Sequence, residues 1–260
     1  MKLSACIEWL FAAESPEFAG RIYAARDAGL AAVEFHLWRD KPLAAIRQAL
    51  DETKLALTSI VVEPRCRLAD PESHAAFRMA FRETLSTAQA LGARFIIPSV
   101  GLALPGVPVQ IQRATIAAAL REATEVASGS PVGVLLEPVN SLVDHPGMYL
   151  NSTLEGLEVI ALVGAPPNLK LLYDIYHSAT MGEAPEGLFE GRTALLGYVQ
   201  VADSPGRHEP GTGSIDWDRY LPLLKEWRYE DLIGLEYKPK ADTLTSLVQT
   251  RRLLAGQVKA

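Results

Sequence analysis

The chain has 260 residues and a formal net charge of −6, without the basic excess that favours nucleic acid. Hydrophobic residues make up 48% and charged residues 22%, proportions that are typical of a globular protein. There is no run of about 18 apolar residues, and a charge close to the N-terminus argues against a secretory leader. We therefore expect a cytoplasmic protein that binds neither nucleic acid nor membranes. Cys6 and Cys66 match no redox or metal spacing, so we expect both to be reduced.

Eight short apolar runs alternate with segments that favour helices. We predict strands at 3–9, 32–38, 56–62, 94–100, 133–139, 169–175, 196–201 and 232–237. A first helix is predicted at 15–28, where Phe18, Ile22 and Ala25 share one face. Further helices are predicted at 71–91, after the N-cap Asp70, and at 242–255.

Two more helix starts have capping residues. Ser152 and Glu155 have the spacing of a capping box. Asp216 is a candidate cap for the next-to-last helix, whose apolar stripe consists of Trp217, Tyr220, Leu221 and Leu224.

Eight β-then-α units in a chain of this length predict the α/β class and a single (β/α)8 TIM barrel that forms one domain over residues 1–260. The alternative is an open, doubly wound sheet. No glycine-rich nucleotide-binding turn follows the first predicted strand, which makes that alternative weak.

Four oxygen-bearing side chains lie near the ends of consecutive predicted strands: Glu137, Asp174, Gln200 and Glu236. In a closed parallel barrel, the carboxyl ends of the strands form the rim where enzymes place their chemistry. A single carboxylate there would be explained by a loop cap or a salt bridge, but four at matching positions favour a bound cation. Oxygen ligands without cysteine or histidine favour Mg²⁺ or Mn²⁺ over zinc.

Five segments of the second half carry a resemblance to a known family: Leu136-Glu137-Pro138-Val139-Asn140, Tyr173-Asp174-Ile175-Tyr176-His177, Val199-Gln200-Val201-Ala202-Asp203, Pro205-Gly206-Arg207-His208-Glu209-Pro210-Gly211-Thr212-Gly213 and Glu236-Tyr237-Lys238-Pro239. They closely resemble the hydroxypyruvate isomerase family, which lies within the xylose-isomerase-like TIM barrels. The match is strong from about Gly133 to Pro239 and weaker before it.

The resemblance implies roles for individual residues. Four would hold a divalent metal: Glu137, Asp174, Gln200 and Glu236. Glu137 and Glu236 would also move protons. His177 would donate a hydrogen bond to a substrate oxygen, while Arg207 and His208 are candidates to bind a substrate carboxylate, Arg207 through a bidentate pair.

The activity that the resemblance implies is an aldose–ketose type isomerisation of a short hydroxy-oxo acid, in the form of hydroxypyruvate to tartronate semialdehyde. The alternatives are a ketose or keto-sugar epimerase, an inosose-type dehydratase and a non-catalytic sugar-binding barrel. A DNA-repair endonuclease of the same superfamily fits poorly, because it would need several histidine ligands and a basic face.

Other features allow weaker expectations. The Gly211-Thr212-Gly213 turn is either a plain tight turn or a phosphate-binding one. Glu34 and His36 share a strand face and lie either at the pocket floor or at its rim. Apolar helix surfaces and loop tryptophans such as Trp38, expected to be exposed, are compatible with a homo-oligomer.

Overall fold

Eight parallel strands form a closed barrel in which each strand pairs with the next and the last pairs with the first. The computed structural model describes residues 2–256, so Met1 and residues 257–260 of the predicted domain lie outside the described residues. The strands are β1 (Leu3–Cys6), β2 (Ala32–Glu34), β3 (Ala56–Val61), β4 (Ala93–Ile97), β5 (Gly133–Leu136), β6 (Leu169–Asp174), β7 (Leu196–Val201) and β8 (Ile233–Leu235).

A helix follows each strand and packs on the outside of the barrel. The helices are α1 (Gly20–Asp27), α2 (Leu43–Thr53), α3 (His74–Leu91), α4 (Val109–Val126), α5 (Thr153–Val163), α6 (Ile175–Thr180), α7 (Trp217–Glu226) and α8 (Thr243–Leu254). This order confirms the predicted α/β class and the TIM-barrel architecture.

A small apolar layer fills the interior of the barrel beneath its carboxyl rim. Its buried members are Ala32, Val61, Ile97, Leu135, Leu172, Tyr198 and Leu232. A larger core lies between the strands and the helices. The inner layer closes the floor of the barrel, so a ligand reaches the interior only from the rim.

Several strands end earlier than predicted. β5 ends at Leu136, one residue before Glu137, and β8 ends at Leu235, one residue before Glu236. The predicted end of β2 at residue 38 is wrong, because β2 ends at Glu34 and the backbone N–H of His36 donates to a Glu8 carboxylate oxygen at 3.2 Å rather than to a neighbouring strand.

The predicted start of the first helix at residue 15 is also wrong. α1 begins at Gly20, and Ile22 and Ala25 form its buried face. The Arg21 side chain donates to the carbonyls of Ile7 and Ser15 at 2.7 and 3.1 Å, which ties the chain before α1 into an irregular loop.

The predicted caps at Ser152 and Asp216 are confirmed, because each accepts a hydrogen bond from a backbone N–H in the first turn of α5 or α7. Asp70 also caps, but its carboxylate accepts from the Glu72 N–H in a short 3-10 turn, Pro71–Ser73, that precedes α3. Asp242, predicted only as the start of the last helix, caps α8 in the same way. The capping box itself is incomplete, because the Glu155 carboxylate accepts from Arg113 and Tyr149 instead.

Trp38 differs from the expectation of an exposed tryptophan. It is 9% exposed, and its indole N–H donates to the Thr84 hydroxyl at 3.1 Å. The homo-oligomer stays a prediction. Among residues 2–256, no helix is both long and apolar enough to span a membrane.

Candidate active site

The four predicted metal-binding side chains lie together at the carboxyl rim of β5 to β8. The parallel register places Asp174 opposite Gln200, and Gln200 opposite Gly234, two residues before Glu236. Asp174, Gln200 and Glu236 are 2%, 3% and 6% exposed. A cavity of about 450 Å³ opens above them and is lined by Glu137, His177, Arg207 and Glu236 among other residues.

Gln200 is oriented by a buried carboxylate beneath it. Its amide N–H donates to Glu34 at 2.9 Å, and the Tyr198 hydroxyl donates to the other Glu34 oxygen at 2.5 Å. Because the amide nitrogen faces Glu34, the amide oxygen points away from it. Burial raises the pKa of Glu34 to about 7, although both hydrogen bonds oppose the shift.

Two acceptor atoms of this cluster are buried without a hydrogen-bond partner among the described residues. They are Oδ2 of Asp174 and Oε1 of Gln200. Buried acceptors are rarely left unpaired unless a water or an ion satisfies them. Together with the Glu137 and Glu236 carboxylates they form a set of hard oxygen donors, so these residues fit a divalent cation of the Mg²⁺ or Mn²⁺ type.

Glu236 is held from two sides. One carboxylate oxygen lies 2.7 Å from Nε2 of His36, and the other accepts from the Arg207 guanidinium at 2.8 Å. Burial by itself would raise the pKa of this carboxyl, but the positive charges of Arg207 and His36 hold it well below its usual value. Glu236 is therefore a carboxylate in a fixed orientation.

Glu137 is in the opposite electrostatic situation. Burial, reinforced by the negative charges of Glu236 and Asp174, raises its pKa well above the usual value. Burial likewise raises the pKa of Asp174 to about 7, against the charge of Arg207. Carboxylates crowded in this way repel one another, and a cation between them would relieve the repulsion.

His177 is a neutral hydrogen-bond donor. Its Nδ1 accepts from the side-chain amide and the backbone N–H of Asn140 at 2.7 and 3.2 Å. The Asn140 amide is itself oriented, because its oxygen accepts from the backbone N–H groups of Val143 and Asp144. Burial and then Arg207 lower the pKa of His177 to about 3, so its Nε2 carries the proton.

This tautomer limits what His177 can do. Nε2 lies 3.6 Å from an Asp174 oxygen and 3.8 Å from a Glu137 oxygen, so the three form a group that has metal-ligand spacing. An Nε2 that bears a hydrogen cannot bind a metal, and Nδ1 faces only donors. Donation to an oxygen in the cavity therefore suits His177 better than metal binding.

Arg207 lies between two aromatic rings. Its guanidinium carbon is 4.9 Å from the centroid of the Trp9 ring and 5.1 Å from that of Tyr176. Its backbone has a positive φ of 54°, an uncommon conformation for a residue other than glycine. The loop after β7 therefore places this cation over the carboxylates.

The remaining loop residues lie apart from this arrangement. Nδ1 of His208 donates to the Lys238 carbonyl at 2.8 Å, and His208 does not line the cavity. Its role in binding substrate stays a prediction. In the Gly211 turn, the backbone N–H of Gly211 donates to Asp203 at 2.7 Å, which favours the plain-turn interpretation over phosphate binding.

Sequence reasoning assigns no role to Trp9 and leaves His36 undecided between floor and rim. Both lie near the ends of the first two strands and line the cavity, where Trp9 packs on Arg207 and His36 contacts Glu236. The only sequence signal for a role in the site is that each residue comes just after a strand. Their contacts are not visible in the sequence, because the partner residues are about 200 positions away.

Comparison with known proteins agrees with the geometry. The family described as "Xylose isomerase-like TIM barrel" matches residues 22–254. Hydroxypyruvate isomerase from Escherichia coli (strain K12) is 31% identical over 254 residues, covering 95% of this chain and 97% of the relative. The chain belongs to the hydroxypyruvate isomerase family of xylose isomerase-like TIM barrels. The predicted family is thereby confirmed, and the protein is an enzyme with a sugar isomerase-type function.

Other members and neighbours extend this result. The 2-oxo-tetronate isomerase of Cupriavidus necator is 31% identical over 241 residues, covering 88% of this chain and 90% of the relative. The crystal structure of an AP endonuclease, family 2, from Brucella melitensis superposes with a TM-score of 0.87 at 26% identity, covering 96% of this chain and 98% of the other. Members with different names therefore share this barrel.

Proposed function

We propose that this family member catalyses a metal-dependent aldose–ketose type isomerisation of a short hydroxy-oxo acid, foremost hydroxypyruvate to tartronate semialdehyde. The observation that carries the proposal is that Glu137 and Glu236 line one cavity beside two buried, unpartnered oxygens. Relatives named for hydroxypyruvate and for 2-oxo-tetronate support this class of substrate.

The proposed cofactor is one Mg²⁺ or Mn²⁺ ion. Its ligands would be Glu137, Asp174, Gln200 and Glu236. When bound, it would act as a Lewis acid that stabilises negative charge on the substrate oxygens. The protein prepares this set: Glu34 turns the Gln200 oxygen outward, and the backbone N–H of Tyr176 occupies only one oxygen of Asp174.

The two glutamates are the proposed proton carriers. One glutamate would take the proton from the carbon next to the carbonyl and give an enediolate, and the other would deliver a proton to the former carbonyl carbon. The hydroxyl proton would pass from the oxygen of the first carbon, which becomes a carbonyl, to that of the second, which becomes a hydroxyl. Such general acid–base help typically contributes about 10²–10⁴-fold to a rate. His36 and Arg207 hold Glu236 in one orientation, which reduces the reorganisation that proton transfer requires.

His177 and Arg207 complete the proposed site. Nε2–H of His177 would donate to the substrate oxygen that becomes negative, without exchanging its own proton, because Asn140 fixes its tautomer. Arg207 would contact the oxygens of the substrate at the reacting end. Small-molecule binding is thus assigned to the rim, and one domain and a cytoplasmic location stay predictions.

The first experiment follows hydroxypyruvate by proton NMR in D₂O, using protein that has been stripped of metal and then given Mg²⁺, Mn²⁺ or no metal. We expect metal-dependent tartronate semialdehyde with solvent deuterium at carbon. With a ketose in place of hydroxypyruvate, solvent deuterium at a carbon whose configuration is inverted would instead indicate an epimerase. Loss of a hydroxyl from a keto-polyol would indicate an inosose-type dehydratase. No exchange with any small hydroxy-oxo acid or sugar, in protein shown to hold the metal, would refute catalysis and leave a sugar-binding barrel.

Variants test the two glutamates. Glu137→Gln and Glu236→Gln should each lower kcat by about 10²-fold or more while the protein stays folded. Glu226→Gln is the matched control, because Glu226 is exposed on the outer surface of α7 and should leave kcat unchanged. Wild-type turnover in either active-site variant would contradict the role proposed for that residue.

A further inference from the structure

An acidic substrate needs a cation, and the charge of Arg207 is already paired with carboxylates of the rim, although its buried Nε–H has no hydrogen-bond partner among the described residues. Its guanidinium lies 2.8 Å from Glu236 and 3.7 Å from Asp174, and the rings of Trp9 and Tyr176 cover its faces. The charge of Arg207 is therefore largely balanced before any substrate arrives.

Two other cations line the same cavity, Arg65 and Arg67 in the loop between β3 and α3. Within residues 2–256 neither side chain forms an ion pair or donates a hydrogen bond to another residue. Arg65 is exposed and Arg67 is half-buried. An exposed arginine is often simply solvated. Whether Arg65 and Arg67 can bind a ligand therefore depends on how firmly their loop is held at the cavity.

The backbone of this loop is fixed. The N–H of Leu68 donates to the Val100 carbonyl at 2.8 Å, and the Ser73 hydroxyl donates to the Arg67 carbonyl at 2.5 Å. A Cβ added to Gly101 would lie 2.7 Å from the Cα of Arg67, so the two loops are in close contact. A fixed loop carries its cations at defined positions, which lowers the entropic cost of binding an anion.

His145 lines the same cavity as this loop and contacts a residue of the rim. The His145 ring packs edge-on against His177, with 5.5 Å between centroids. Burial first, and then the charge of Arg207, lower the pKa of His145; Asp144 opposes the shift and Arg65 adds to it. Much of the remaining cavity lining is apolar, and the carboxylates in it are the rim residues Glu137 and Glu236; the apolar members include Ile97, Val100, Val139, Met148 and Leu150.

We propose that Arg65 and Arg67 bind the oxyanion of the substrate and make this enzyme select acids over neutral sugars. The oxyanion is a carboxylate or a phosphate, either of which an arginine can bind through two parallel hydrogen bonds. The inference rests on the proposed function, because it concerns the substrate of the same cavity. It assigns the recognition of charge to the loop after β3 and leaves Arg207 at the reacting carbons.

The test measures binding and turnover separately in the metal-loaded enzyme. Calorimetry gives the Kd of three probes that cannot isomerise: glycerate, glycerol 3-phosphate and glycerol. Steady-state kinetics gives kcat and KM for hydroxypyruvate. The variants are Arg65→Ala/Arg67→Ala, its charge-conserving counterpart Arg65→Lys/Arg67→Lys, and the control Arg82→Ala, which removes an exposed arginine from α3.

We expect the double alanine variant to raise the Kd of an anionic probe, and the KM for hydroxypyruvate, by about tenfold or more with little change in kcat. Glycerol binding and the control variant should be unaffected, and the double lysine variant should recover part of the loss. Whether glycerate or glycerol 3-phosphate shows the larger change identifies the oxyanion. Unchanged Kd and KM in the double alanine variant would overturn the proposal.

The outcome separates this inference from the proposed function. Turnover of hydroxypyruvate with a wild-type KM in the double alanine variant would refute the role of the loop and keep the isomerase. Anion binding that depends on the loop, in a protein that turns over no hydroxy-oxo acid, would refute the isomerase and keep the anion site.

Discussion

Gly234→Ala should damage both the stability of the barrel and the proposed metal site. Gly234 lies in β8 beneath the rim, and a Cβ there would lie 2.5 Å from the Tyr198 hydroxyl, 2.7 Å from Cγ of Gln200 and 2.9 Å from a Glu34 oxygen. These three side chains form one buried hydrogen-bonded group, so none can move without leaving a buried polar atom unpaired.

The expected loss has two parts. Overpacking of a filled interior typically costs about 1–3 kcal/mol, and disturbing a buried hydrogen bond adds about 1–3 kcal/mol. A total near 3 kcal/mol would lower the thermal midpoint by about 6–12 °C in a protein of this size. Because Gln200 would shift, the affinity for Mn²⁺ should also fall, by about 10- to 100-fold.

The assay combines unfolding in urea with calorimetric titration of Mn²⁺. Tyr198→Phe provides the internal control, because it removes the atom closest to the new Cβ. Gly234→Ala should therefore cost less in the Tyr198→Phe background than in the wild type, and a double-mutant cycle measures the difference. Equal unfolding free energies for the wild type and Gly234→Ala would refute the argument that this glycine is required by close packing.

Two further predictions concern the imidazole and the response to acid. Asn140→Ala should lower kcat by about 10- to 100-fold, the range typical when the hydrogen-bond partner that orients an imidazole is lost; nitrogen NMR should then show a mixture of His177 tautomers, and a single tautomer with normal kcat would contradict the assignment. Burial by itself would raise the pKa of Glu155, but hydrogen bonds from Arg113 and Tyr149 lower it below its usual value. The contribution of Glu155 to the free energy of unfolding is therefore fully present above its pKa in the unfolded chain, about 4.3. That contribution is lost as the pH falls through the lower pKa of the folded state. Glu155→Gln should make the fall in unfolding free energy between neutral and acidic pH smaller by about 1 kcal/mol, a modest amount because the group is partly exposed. An unchanged pH dependence of the unfolding free energy would show that Glu155 does not contribute.

The sequence alone predicts the barrel and most of its rim, because those features depend on local pattern. Apolar runs separated by about 25 to 40 residues predict the alternation of strands and helices, and the caps at Ser152 and Asp216 depend on residues three positions away. Strand alternation places Leu135, Leu172 and Tyr198 on the same strand faces as Glu137, Asp174 and Gln200, two residues earlier. All three are buried inside the barrel.

Only the tertiary structure decides how the rim residues are paired. His36 contacts Glu236 because the pairing of β1 with β8 closes the barrel and brings the two ends of the chain together. Glu34 orients Gln200 over a separation of 166 residues. The charge of Arg207 is balanced by Glu236, which leaves Arg65 and Arg67 as the arginines lining the cavity that have no ion-pair partner among the described residues. Such contacts depend on register and loop geometry, and no periodicity or spacing in a single sequence encodes them.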